Sequence, residues 1–413
     1  MESNLNQNKI NTKEELDLFV AENWHQINDY LDQQFKLYQI PVYTSIDIRE
    51  SDSKYSPVDN NLYPAGFNNI CKKDQMVCQE HFKQALSPIC KNIIKVGLIP
   101  ESHTKNLFYL DHLFSLKSIL ERAGFEVELL TTDSTPFEGS DQLKLISHSG
   151  HALEINLAHY EQGVLKTRNH NGHCIYLLNN DQSSPLDLPW NDFKVPVVPS
   201  PHIGWFRRQK NEHFKCYEMV ANQFSQYFSI APQLIQAKFK AIEGVDFNAK
   251  EGLDQIADAI DEMQKELPEH TNIFVKASQG TYGMGIMVVQ NGDEIRNMNR
   301  KDRNKMDIGK NKIKFTKVLV QEGVETIIKY DGHPAEVTIY LVNGTPVGGF
   351  MRANPERDTK SNLNAKGMVY QKFCLSEMKE IGDDQFKQAV YCVIARLSTL
   401  ASALEIQNVL ADK

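Results

Sequence analysis

Apolar positions recur with helical period through residues 12–38, where Leu16, Phe19, Val20, Ile27, Leu31 and Phe35 share one face. Thr12 and Glu15 ahead of that face have the spacing of a capping box, so one helix is predicted there. The period returns from Leu107 to Leu120, between the apolar runs "IIKVGLIP" and "GFEVELL". This reads as strand, helix, strand, with Gly124 where the helix stops and the two strands parallel. "HCIYLLNND" and "VPVVPS" read as further strands of the same unit. Its polar loop at 100–106 falls at a strand's carboxyl end, where open α/β sheets take ligands. Phe214, Tyr217, Val220, Phe224 and Tyr227 predict another helix, and Leu253, Ile256, Ile260 and Met263 a further one. Phe386, Val390, Val393, Leu397, Leu400 and Leu404, spaced alternately by four and three, predict a long amphipathic helix.

Shorter apolar runs read as strands. In "NIFVKASQGTYGMGIMVV", residues 272–289, the run Ile273–Val275 stops at Lys276 and a second run begins at Ile286. Gly280, Gly283 and Gly285 fall between them. Glycine lets a ligand approach the backbone, and successive N–H groups in such a loop form an anion-binding concavity. A lysine at the strand's end adds a point charge suited to a phosphate oxygen. The Walker loop and the dinucleotide fingerprint do not fit, because both lead into a helix and here a strand follows. "AEVTIYLVNGTPVGGFMRAN", residues 335–354, reads as a hairpin turning at Asn343-Gly344.

Three polar stretches break the pattern. Residues 45–70, "SIDIRESDSKYSPVDNNLYPAGFNNI", are too polar for core and too rich in Arg, Lys, Asp and Asn for a plain linker. They read as a surface loop suited to substrate recognition, with Arg49 and Lys54 meeting carboxylates and Asp59 meeting an ammonium group. Residues 296–317 carry nine Lys or Arg against two Asp and read as a solvated, mobile segment. Arg207 and Arg208 are adjacent ahead of a helix, either as solvated surface or as a phosphate or carboxylate contact.

Composition narrows the class. At 413 residues, 41% hydrophobic and 24% charged, the chain has the make-up of a soluble globular protein large enough for two or three subdomains. A formal net charge of −8 argues against a general nucleic-acid binder. The first residues lack the apolar stretch of a signal peptide, and no apolar run approaches the roughly 18 residues that span a membrane. Seven scattered cysteines without a CxxC pair indicate neither a disulfide framework nor a zinc site, so a reduced, cytoplasmic protein is expected. The pairs His148/His151 and His170/His173 read as loop or strand-edge histidines.

Taken in order, these pieces resemble the ATP-grasp superfamily of carboxylate–amine ligases, in which two α+β subdomains clamp ATP behind an N-terminal α/β domain. "FVKASQGTYGMGIMVV" is similar to the superfamily's phosphate-covering hairpin. "VLVQEGVE" resembles its hinge strand, which implies adenine at the Glu322 to Val324 backbone beside Gln321, and ribose at Glu325. The hairpin at 335–354 followed by "NLNAKG" resembles the glutathione-synthetase branch. The 45–70 segment, the glycine loop and "NLNAKGMVYQKF" together resemble the proteobacterial glutamate–cysteine ligase family that is unrelated to the enterobacterial type. That resemblance implies a cytoplasmic enzyme forming γ-glutamylcysteine from L-glutamate, L-cysteine and ATP through γ-glutamyl phosphate, the first step of glutathione synthesis.

The resemblance also implies an organisation and a set of roles. Residues 1–90 would hold the N-terminal helix and substrate loop, 91–205 the α/β domain, and 206–413 the nucleotide-binding and catalytic region. Lys276 and the Gly280–Gly285 loop would hold ATP phosphates, and Arg352 would stabilise the transferring group. Arg49, Lys54, Asp59, Asn68 and Asn69 would bind the amino-acid substrates. One departure concerns Mg²⁺. Such ligases place an acid and then Glu-x-Asn on a late strand, whereas here Glu405 and Asn408 are three apart in a predicted helix. Glu336, Asn354, Asn362 and Asn364 are therefore the expected ligands. Partners are small molecules, not nucleic acid or membrane, and a homo-oligomer stays open. Two alternatives also stay open: a ligase for another amino acid or peptide, and an ATP-binding regulatory module without turnover.

Overall fold

The capping box forms as its spacing predicts. The Thr12 hydroxyl accepts from the Glu15 N–H, and the Glu15 carboxylate accepts from the Thr12 N–H. The helix it starts is shorter than predicted, because the chain breaks at Asn23 into α1 (Lys13–Glu22) and α2 (Trp24–Phe35). The Asn23 side chain donates to the Phe19 carbonyl, a local bond that competes with helix continuation. The computed structural model describes residues 9–90, 94–101, 105–170, 172–278, 285–307, 315–377 and 385–411.

Three sheets organise the mixed α+β fold. The first holds β1 (Tyr43–Glu50), β2 (Tyr55–Asn61), β16 (His333–Val342), β17 (Thr345–Ala353) and β18 (Val369–Phe373) in the order β18-β17-β16-β1-β2, with β15 (Lys329–Tyr330) on β16. All its pairings are antiparallel. The second holds β3 (Lys95–Pro100), β4 (Glu126–Thr131), β5 (Gln142–Ile146), β6 (Ala152–Leu157), β9 (Ile175–Asn179) and β10 (Val197–Val198), ordered β10-β9-β3-β4-β6-β5. As predicted, β3 and β4 are parallel. The third is antiparallel, with β11 (Phe239–Glu243), β12 (Ile273–Ala277), β13 (Ile286–Val289) and β14 (Lys317–Glu322) ordered β11-β14-β12-β13. β7 (His159–Glu161) and β8 (Val164–Lys166) form a small hairpin.

The remaining helices are α3 (Lys72–Leu86), α4 (Leu107–Arg122), α5 (Lys210–Phe228), α6 (Lys250–Gln264), α7 (Gly292–Arg296), α8 (Arg300–Asp307) and α9 (Gln385–Ala411). Ile46, Ile48, Val337, Ile339 and Leu341 on one face of the first sheet share a core with α1, α2, α5 and α9. α9 is long and apolar enough to cross a membrane by length and composition. That apolar stretch is 89% buried within the protein, so it is a core helix here. The third sheet has its own core against α6, with Phe247, Ile256, Ile260, Val275 and Val320 fully buried.

Several sequence expectations change. Residues 45–70 are largely not a surface loop: 43–50 and 55–61 are paired strands, and Arg49, Glu50, Ser56 and Asn60 are buried. A boundary at residue 90 therefore cuts across the first sheet, since β1 pairs with β16 nearly 300 residues later. Within 296–317, residues 300–307 are helical and Met306 and Phe315 are buried, so this stretch is not uniformly solvated; residues 308–314 lie outside those described. The cysteines also depart from expectation. Cys71 is bonded to Cys374 and Cys90 to Cys174, across 303 and 84 residues, separations that spacing cannot reveal. These bonds tie both ends of α3, one to the end of β18 and one to the start of β9. Cys78, Cys216 and Cys392 are buried, and burial raises each thiol, Cys216 and Cys392 to about 12, so none is poised as a nucleophile.

Candidate active site

Side chains alternate across a strand, so the second face of the first sheet collects Tyr43, Asp47 and Arg49 from β1 with Glu336, Thr338 and Tyr340 from β16. At one end of this face Tyr43, Tyr340 and Phe350 pack with Phe67 and Phe82. At the other end the same face turns charged. Asp47 stands opposite Asp59 in the β1–β2 register, and Glu336 opposite Arg352 in β16–β17. A strand whose alternate positions are charged rather than apolar reads as a loop from sequence, although these charges face a cleft.

The cleft lies between this face and the third sheet. Asp47, Arg49, Val58, Asp59 and Glu336 line it from one side, and Phe274, Lys276, Ile286, Gln321, Glu322 and Val324 from the other. Lys210 at the start of α5 also lines it, with Asn362 and Asn364. The cleft encloses about 670 Å³ including its open mouth.

Two kinds of cation are found here, although Arg352 reaches the cleft only through the acids that line it. Arg352 is held by carboxylates: its Nη1 donates to Asp47 Oδ2 and to Glu336 Oε1, both at 2.8 Å. Arg49 Nε donates to the other Glu336 oxygen at 2.9 Å, while its remaining nitrogens donate to the Val324 and Ser361 carbonyls. Lys276 is different. Its ammonium donates to the Val58 carbonyl at 3.0 Å and to Gln321 Oε1 at 2.7 Å, both neutral acceptors. Burial, and then the nearby Lys210 charge, pull its pKa down to about 7.

Asp47, Glu336 and Asp59 split. Burial lifts the Asp47 carboxyl above its ordinary range; Arg352 opposes this, and Glu336 and Asp59 reinforce it. Burial acts on Glu336 in the same direction, but Arg49 and Arg352 outweigh it and hold Glu336 below its ordinary value. Asp59 is likewise held low against burial by Lys210, whose Nζ is 2.6 Å from its Oδ1.

The other expected residues are placed less centrally. Lys54 pairs with Glu322 at 2.6 Å in an adjoining hollow. Glu325 is exposed and accepts from Thr359 at 2.6 Å. Asn354 is buried, and its amide donates to the Leu363, Ala365 and Lys366 carbonyls, so it shapes the loop that carries Asn362 and Asn364. Asn68 and Asn69 bond each other in a short turn and are not among the side chains lining the cleft. Gly280 and Gly283 lie outside the described residues. Gly285 has φ +65°, and a Cβ there would sit 2.6 Å from that of Ala277, so glycine is required. Glu405 is bonded to Arg208 and His213, and Asn408 contacts Cys216, which leaves neither in the cleft. His148 and His151 stack on Phe108 and Phe114, while His173 bonds Glu128.

Sequence reasoning missed Asp47 and Lys210. Asp47 had a signal, the apolar–polar alternation of "SIDIRE"; Lys210 had none that separates it from other helix-start lysines.

A charged cleft where acids and bases are held in contact between two sheets is an enzyme's site, and the comparisons give its class as a ligase. Residues 17–406 match the family described as glutamate-cysteine ligase, and the chain belongs to that family. A crystal structure from Methylobacillus flagellatus KT, of a protein assigned as a gamma-glutamylcysteine synthetase, is 32% identical with a TM-score of 0.86. The match covers 95% of this chain and 96% of that one. The D-alanyl-alanine synthetase A of Vibrio cholerae matches over 73% of this chain and 79% of its own at 13% identity and a TM-score of 0.37, too slight a likeness to bear on fold or function. No curated protein matches the chain.

Proposed function

We propose that the cleft binds ATP and L-glutamate, transfers the γ-phosphoryl group to the glutamate γ-carboxylate, and then admits the amine of L-cysteine. The first and third sheets act as the two jaws of an ATP-grasp-like clamp. The observation that carries this reading is Lys276, a buried ammonium lining the cleft whose hydrogen bonds, among the described residues, go to neutral acceptors.

A carboxylate resists amines at neutral pH because oxide would have to leave. Phosphorylation forms a new O–P bond and breaks the bond to ADP; the neutral amine then attacks the carbonyl carbon, and phosphate leaves with the carboxylate oxygen. Lys276 and Lys210 grip phosphate oxygens, while Phe274 and Ile286 give the nucleotide apolar surface. Arg352 stabilises negative charge on the carboxyl group as it reacts. Asp47, Asp59 and Glu336, with the Asn362 and Asn364 carbonyl oxygens, are hard oxygen donors of the kind Mg²⁺ takes. Asn354, spent on its own loop, is not among them. When bound there, Mg²⁺ would offset phosphate charge and orient the triphosphate.

Release of ADP by the purified protein with Mg·ATP checks this reading. We expect rapid ADP formation only when glutamate and cysteine are both present. ADP formation indifferent to either amino acid would refute it. Binding of ATP without any release would favour a regulatory module instead.

A further inference from the structure

A closed polar network lies behind the cleft. Arg208, Glu405, His213 and Asn60 are each 3% exposed or less, and Ser398 and Ser402 are fully buried. Arg208 grips Glu405 through two nitrogens, Nε to Oε1 at 2.8 Å and Nη2 to Oε2 at 3.1 Å. Its Nη1 donates to the Asn60 carbonyl and its Nη2 to Asn60 Oδ1, both at 2.8 Å. Burial alone would raise the Glu405 carboxyl, but Arg208 and then His213 outweigh it and bring it down to about 2. Both Glu405 oxygens are thus occupied by α5 and the residues leading into it.

The network's sequence neighbours are what reach the ligand side. Asn60 follows Asp59 on β2, and Arg208 precedes Lys210 by two residues. Asp59 and Lys210 are an ion pair lining the cleft. The Trp205 ring lies beneath both cations, 4.9 Å from Arg208 and 4.8 Å from Lys210. On its other side the start of α5 is tied to the third sheet. The Lys210 and Asn211 N–H groups donate to Ser278 at 2.8 and 3.3 Å, and Ser278 stands two residues after Lys276. One turn of chain therefore joins the two jaws, with Lys210 on it.

We propose that Arg208 and Glu405 form a positioning latch that fixes Lys210 and Asp59 relative to Lys276, and so sets the affinity for ATP from behind the cleft. This rests on the nucleotide reading given above. A buried ion pair is a weak source of net stability, since desolvation offsets its attraction. Geometry is the better account of a bidentate pair that also holds both oxygens of Asn60. Loss of the Glu405 charge would leave Arg208 buried without its counter-ion and let β2 and α5 shift against each other.

The test is a double-mutant cycle between Glu405→Gln and Lys210→Met, read as the KM for ATP and for glutamate on folded protein. Displacing Lys210 by about an ångström predicts a rise of about ten- to a hundredfold in the ATP KM of Glu405→Gln. The glutamate KM should stay within about twofold, and in the Lys210→Met background the same change should add about twofold or less. Arg208→Lys, which keeps the charge, should recover part of the loss relative to Arg208→Met. If Glu405→Gln does not fold, Ser402→Ala, which removes one bond to Asn60, enters the same cycle with a smaller effect in the same direction. Equal losses in both backgrounds, or an unchanged ATP KM in the folded variants, would reduce the network to a structural one. Should Lys210→Met leave ATP binding intact while Lys276→Met weakens it, the latch falls and the nucleotide reading stands; should both leave it intact, the nucleotide reading falls and the latch with it.

Discussion

Replacement of Lys276 by methionine will abolish most ATP binding and raise the thermal midpoint of the protein. The first effect follows from the loss of a charge-assisted phosphate contact worth roughly 1.5–3 kcal/mol, about ten- to a hundredfold in affinity. The second follows from burial. The Lys276 pKa falls from its ordinary 10.5 to about 7 in the folded chain, so the unfolded chain binds more protons between those values. Stability contributed at this residue therefore rises with pH across that window, and the cost of burying the charge is greatest below about 7. Methionine removes the charge and keeps the bulk, so its stabilisation should be largest below pH 7 and fade toward pH 10.5. Melting curves and ATP titrations across that range check both parts. A variant that loses stability at pH 6, or binds ATP as well as the parent, contradicts the assignment.

Arg352→Met should behave in the opposite way. Its guanidinium is the shared partner of Asp47 and Glu336, and its removal leaves Asp47, among the described residues, without a bonded cation and Glu336 with Arg49 alone. Breaking such a pair costs about 3–5 kcal/mol in unfolding free energy. Turnover should fall by about a hundred- to a thousandfold, the cost of losing one donor aimed at developing charge. Denaturant unfolding and steady-state rates on the folded fraction measure the two separately. Two buried cations with stability effects of opposite sign would be hard to explain by burial alone. It is the carboxylates bonded to Arg352, where the Lys276 bonds go to a carbonyl and an amide oxygen, that set the sign.

The same distinction explains what was legible in the sequence. Local rules gave the capping box at Thr12 and Glu15 and the parallel β3–β4 unit. They also gave the hairpin at Asn343-Gly344, both residues of which have positive φ. Each of these depends on neighbours in the chain. Lys276 was legible because the glycine loop beside it is local too. The rest of the site is not local. β1 finds β16, and Arg49 finds Glu336, only through sheet pairing across nearly 300 residues. The polar face of β1 points into a cleft, so its charge content imitates a loop. Arg208, read either as solvated surface or as an anion contact, and Glu405, out of place for a metal ligand, proved to be each other's partner. The cysteine bonds were equally invisible, since nothing in their spacing distinguishes Cys71 with Cys374 from other pairings.

The central claim is a phosphorylated glutamate, and the oxygen atoms record it. Glutamate carrying ¹⁸O in its γ-carboxylate, turned over with cysteine and Mg·ATP in unlabelled water, should pass one labelled oxygen to each phosphate released. Activation is needed because placement of the reactants can supply only about 7–11 kcal/mol of the barrier. Phosphate carrying that label, at one atom per peptide bond formed, is the result this account predicts. Label appearing in AMP, or phosphate that takes its oxygen from water during active synthesis, would contradict it.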